Sequence, residues 1–120
     1  MISEEYAQTR LAYWQKVLRL TDWTIKLNIN CKPEEMALEE ATGCTDWAEA
    51  AKTARIDILD PEYYGKRIVA FDFNKTLIHE LLHLKMSFWC QSDELISDRA
   101  MHQVIDDLAK AFASIEKGGK

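Results

Sequence analysis

Residues 74–89 impose the strongest constraint on how this chain folds. Leu77, Ile78, Leu81, Leu82, Leu84, Met86, Phe88 and Trp89 cover most of the surface of any helix drawn through them. An apolar surface on nearly all sides predicts a helix packed into the interior rather than lying on it. Yet His79, Glu80 and His83 stand in the middle of that run. Polar side chains forced into an interior need partners, because burial without hydrogen bonds costs several kcal/mol.

The rest of the chain supplies the surroundings for such a helix. A 120-residue sequence with 48% hydrophobic and 29% charged residues has enough material for one globular core without disulfide staples, and one domain over residues 1–120 is expected. Residues 3–20 read as an amphipathic helix: Ser3 caps it, Glu4 and Glu5 favour its first turn, and Ala7, Leu11, Trp14 and Leu18 form its inner stripe. From Trp23 the period becomes two, with Ile25, Leu27 and Ile29 alternating with Lys26, Asn28 and Asn30, as in a half-buried strand. Pro33 allows a short helical turn over 34–40 before Gly43 breaks it. Strands are expected at about 44–49 and 53–59, paired as a hairpin, followed by an aromatic loop at Tyr63 and Tyr64. Ser92 caps a last helix reaching about Ile115, with Met101, Ile105, Leu108 and Phe112 as its apolar stripe, and the tail from Lys117 frays. The expected fold class is α+β, with a small, mostly antiparallel three-stranded sheet.

Charge and cysteine usage narrow the function. Fifteen basic against twenty acidic residues give a formal charge of -5, with no basic run able to follow a phosphate backbone, so nucleic acid is not an expected partner. Apolar runs fall short of the ~20 residues of a membrane span, and acidic residues stand where a signal peptide would be basic, so a cytoplasmic protein with no membrane partner is expected. Cys31, Cys44 and Cys90 are scattered and odd in number, which suggests buried thiols rather than a disulfide framework or a thiolate zinc site.

His79-Glu80-Leu81-Leu82-His83 fits HExxH. Residues four apart share a helix face, so both imidazoles can address one metal ion while Glu80 projects beside it toward a water. Zinc suits this donor set: imidazole nitrogens bind at about 2.0–2.1 Å, a third protein ligand follows, and water keeps the fourth position. The ion lowers the pKa of that water and Glu80 takes its proton as general base. Glu94 and Asp98 are the next acids on the inward stripe of the last helix. Glu94 is the favoured third ligand and Asp98 the acceptor for a ligand histidine's N–H. Asp93 and His102 remain competing third ligands, and His102 is otherwise a group lining the site. Tyr63 and Tyr64 are candidates for stabilising an oxyanion, with loop packing as the alternative. The strand around Trp47 could present an open edge to an extended peptide, with Trp47 in the core as the alternative. HExxHxxGxxH is excluded, since Met86 and Trp89 occupy its glycine and histidine positions.

HELLH followed by Glu94-Leu95-Ile96-Ser97-Asp98 resembles the gluzincin class of zinc metallopeptidases, whose third ligand is the glutamate of a Glu-x-x-x-Asp or Glu-x-x-x-Glu helix. The short chain is similar to minigluzincins and to small metallopeptidases of phage or prophage genomes, over about residues 23–116, with specificity only in the two helical motifs. The resemblance implies a minimal zincin-like domain, one zinc per chain, a peptide or protein substrate, Glu80 as general base and Asp98 orienting a ligand histidine. Residues 84–93 make a shorter interval between HExxH and the glutamate than large gluzincins have. SprT-like domains share the HExxH core but use other downstream ligands. A catalytically weak, zincin-like metal-binding or protein-interaction module is the alternative function, and a closed structural zinc site a third.

Overall fold

The computed structural model describes residues 1–36, 41–65, 67, 69–87 and 98–118, with only the backbone described at 98, 99 and 118. Helix α1 spans Glu4–Val17; the Ser3 side chain accepts the Tyr6 N–H, and Ala7, Leu11 and Trp14 are its buried residues. It ends earlier than the 3–20 stripe suggests, for a local reason. Arg19 adopts a left-handed φ of 60°. The Leu20 N–H then reaches the Gln15 carbonyl at 2.7 Å and the Arg19 N–H reaches that of Lys16 at 3.2 Å. These two bonds close the helix as a Schellman motif with arginine where glycine is usual.

Strands β1 (Thr24–Cys31), β2 (Gly43–Ala48) and β3 (Thr53–Leu59) form one sheet in the order β1-β3-β2. The β2–β3 hairpin is antiparallel, with Trp47 opposite Ala54 and Thr45 opposite Ile56. The mostly antiparallel sheet expected from sequence requires correction: β1 runs parallel to β3, with Leu27 beside Ile56, so the sheet is mixed. Alternation tells which residues face the core but not which strand lies alongside. Here β3, with Ala54, Ile56 and Ile58 buried, takes the centre, with β1 parallel on one side and β2 antiparallel on the other. Asp57, buried on the other face, accepts a 2.7 Å hydrogen bond from Asn28 Nδ2 in β1.

Between β1 and β2 a single 3-10 turn occupies Pro33–Glu35, and residues 37–40 of the expected helical turn lie outside the described residues. Cys31 and Cys44 are buried with Met36 and Leu59 in a small cluster separate from the main core. Cys90 lies outside the described residues.

Helix α2 covers Phe73–Lys85, capped by Asp72, whose carboxylate accepts the Lys75 N–H at 3.1 Å. Leu77, Ile78, Leu81 and Leu84 are at most 2% exposed, so the helix is sheathed on several sides at once. Residues 88 and 89 of the expected helix lie outside the described residues. Helix α3 spans Asp98–Gly118 and packs along α2. Its inner stripe is Met101, Ile105, Ala109 and Ala113, with Phe112 partly buried. Leu108 does not belong to that stripe as expected; it is 38% exposed, because the 3.6-residue period carries Ala109 inward instead. Among the described residues no helix is long and apolar enough to cross a membrane.

Candidate metal centre

The centre forms where α2 meets α3 and the start of β2. His79 and His83, one helical turn apart, have ring centroids 5.1 Å apart. His102, in the first turns of α3, completes a triangle, 5.8 Å from His79 and 4.7 Å from His83. One potential ligand atom from each of the three rings lies within 4.8 Å of the others, close enough to bind a metal ion. Among the described residues this is the one such group of His, Cys, Asp or Glu side chains.

Electrostatics keep the two α2 donors in the form a metal needs. Burial pushes the His83 imidazole down to about 4, helped by His79 and His102 beside it. Burial also lowers the His79 pKa, against the opposing pull of Asp106. A neutral imidazole offers a lone pair, whereas a protonated one repels a cation. The donor set, three imidazoles packed against one another, therefore fits a metal ion that takes nitrogen ligands.

Glu80 sits on the adjacent position of α2 and is 6% exposed. Burial pushes its carboxyl up to about 7, only partly offset by the Thr45 hydroxyl, which donates to Glu80 Oε1. Gly43, at the start of β2, lies against the same side chain: a Cβ at that position would come within 2.8 Å of Glu80 Oε2 and 3.0 Å of Thr76 Cγ2. Glycine thus allows the close approach of strand to helix. Beside Glu80 and His79 opens a cavity of about 160 Å³.

Asp106 is the site residue that the sequence analysis missed. Its Oδ1 stands 3.6 Å from His79 Nδ1, and its Oδ2 pairs with Lys110 Nζ at 3.0 Å. The available signal was spacing, since Asp106 follows His102 by one helical turn. The role expected of Asp98, a carboxylate beside a ligand histidine, is thus matched in position by Asp106; the Asp98 side chain lies outside the described residues, as do Asp93 and Glu94.

The tyrosines are not part of this cluster. Tyr64 donates its hydroxyl to the Val69 carbonyl at 2.6 Å and packs edge-on against Phe71, while Tyr63 is 45% exposed, and neither lines the cavity beside Glu80. Trp47 is partly buried against the main core. Comparison with protein-family models, with curated proteins and with solved structures finds no match to this chain.

Proposed function

We propose that this protein is a small zinc-dependent hydrolase of peptide bonds, with His79, His83 and His102 as metal ligands and Glu80 as general base. The observation that carries the reading is the convergence of three imidazole nitrogens within 4.8 Å, with the buried Glu80 carboxyl, which accepts from Thr45, sharing one cavity wall with His79. A third imidazole takes the part that the gluzincin resemblance gives to Glu94.

Bound zinc supplies Lewis acidity for activating water and polarising a carbonyl. Glu80 does the proton work. A carboxyl held near 7 accepts a proton and returns it to a leaving amine with little bias either way at neutral pH, which suits general acid–base catalysis. The Thr45 hydroxyl occupies Oε1, while Oε2 lies toward Gly43 at the start of β2. Asp106 orients the His79 ring from its Nδ1 side. β2 is an edge strand, with no strand on its outer side among the described residues, and a substrate added there as an extended strand would run past Thr45 and Glu80.

A second reading, a zincin-like binding module with feeble catalysis, is favoured by one feature. The cavity of about 160 Å³ is smaller than the ~300 Å³ at which ligand pockets usually begin.

Elemental analysis of purified protein, paired with a peptide-library digest, separates these readings. The proposal expects about one zinc per chain, lost in His102→Ala, kept in Glu94→Ala, and hydrolysis that disappears in Glu80→Gln while zinc stays bound. Zinc without hydrolysis leaves the binding module. Zinc lost with Glu94 and kept without His102 restores the glutamate-ligand arrangement.

A further inference from the structure

The cavity beside Glu80 has a chemical character of its own. Apart from the two motif residues, its wall consists of Thr42, Gly43, Lys75, Thr76 and Asp106. No large apolar side chain lines it, so it offers little to an aliphatic or aromatic group. At about 160 Å³ it accommodates a short polar group.

Lys75 supplies the charge. It precedes His79 by one turn of α2, which brings it onto the histidine's face of the helix. Among the described residues its nearest carboxylate oxygen is Asp106 Oδ1 at 3.8 Å, beyond hydrogen-bond distance. Asp106 is committed elsewhere, with Oδ2 on Lys110 at 3.0 Å and Oδ1 also 3.6 Å from His79. Two lysines thus share one carboxylate, and no other acidic side chain pairs with Lys75 among the described residues. An ammonium has three N–H donors to offer. Asp106 and Glu80 also line the cavity, and Asp106 Oδ2 is paired with Lys110.

Resting on the peptidase reading above, we propose that this cavity is a subsite for a substrate carboxylate adjoining the scissile bond, that Lys75 Nζ is its counter-charge, and that the threonine hydroxyls line its walls. Lys75 then determines specificity for a peptide with a carboxylate next to the cut. That carboxylate is either an acidic side chain or the chain terminus.

Three blocked tripeptides test this on the zinc-loaded Glu80→Gln protein: acetyl-Ala-Asp-Ala-amide, acetyl-Ala-Ala-Ala as the free acid, and acetyl-Ala-Ala-Ala-amide. Binding is followed by the amide NMR shifts of Thr42, Gly43, Lys75 and Thr76. At least one charged peptide should bind about fivefold or more tighter than the neutral one, as a charge-assisted contact warrants. Which charged peptide wins identifies the source of the carboxylate. The preference should vanish when Lys75→Met is added and persist with Lys75→Arg, with zinc content unchanged in both. Equal binding of all three, no binding, or a preference that survives Lys75→Met overturns the subsite while leaving the metal centre standing. Failure to take up zinc overturns the metal centre itself, and the subsite with it.

Discussion

The Thr45 hydroxyl on β2 donates to the Glu80 carboxylate on α2, joining an edge strand to the helix that carries two of the three clustered histidines. This contact makes the position of Glu80 a property of how sheet and helix pack, and Gly43 two residues earlier is what lets them approach.

Gly43→Ala should therefore act on catalysis before it acts on metal binding. A Cβ within 2.8 Å of Glu80 Oε2 and 3.0 Å of Glu80 Cγ has to displace that side chain or spread β2 from α2. Overpacking of this kind costs about 1–3 kcal/mol. The expected result is a modestly destabilised protein that keeps its zinc and loses most of its hydrolysis, measured by denaturant titration, elemental analysis and peptide cleavage. Full activity in this variant would mean that Glu80 need not stand where β2 holds it.

Stability of the metal-free protein should depend on pH through two opposed groups. The folded-state pKa of Glu80, about 7, lies above its ordinary 4.5, so the stability associated with its protonated form is complete below about 4.5 and is lost as pH rises through 7. His83, at about 4, lies below its ordinary 6.5, so its contribution is complete above 6.5 and is lost as pH falls through 4. Glu80→Gln removes only the first effect. Urea titrations in the presence of a chelator should find the variant equal to the parent near pH 4.5 and more stable by about 2–3 kcal/mol at pH 8. No gain at pH 8 would show that Glu80 ionises without penalty.

His102→Ala should release the metal, and Asp106→Asn should weaken its binding. Losing one of three ligands removes most of the affinity, whereas losing the carboxylate beside a ligand imidazole typically costs 10–100-fold. Zinc titrations against a competing chelator measure both. An Asp106→Asn affinity equal to that of the parent would mean that the 3.6 Å contact to His79 is incidental.

Asn74 predicts a purely structural effect. Its Oδ1 accepts from Arg10 Nε at 2.8 Å and from Trp14 Nε1 at 2.9 Å, and its Nδ2 donates to the Tyr6 hydroxyl at 2.9 Å. Truncation to alanine strands the indole N–H of Trp14, a residue only 2% exposed. Asn74→Ala should lower stability by about 2–4 kcal/mol while zinc stoichiometry is unchanged. A loss of zinc in this variant would mean that α1 supports the metal centre as well as the core.

Features that depend on neighbours a turn or a hairpin away were legible in the residues alone. HELLH spacing puts His79 and His83 on one face of α2, apolar residues around that helix demand its burial, and the alternation in 53–59 makes β3 a strand. These follow from helical and strand periods, which any local stretch of chain carries. What meets across long separations came only from the packing of distant segments. The parallel pairing of β1 with β3 could not be read from alternation, because a period of two is the same in either direction. Gly43 reads in sequence as a breaker and serves in space as the point of closest approach to Glu80. Thr45 carries no motif, yet 35 positions separate it from the carboxylate it holds. His102 joins the other two histidines, and Asp106 comes beside His79, only because α3 docks along α2 in one register. That face of α3 buries Met101, Ile105, Ala109 and Ala113 in the core, and shape complementarity between distant segments has no period for a sequence to display.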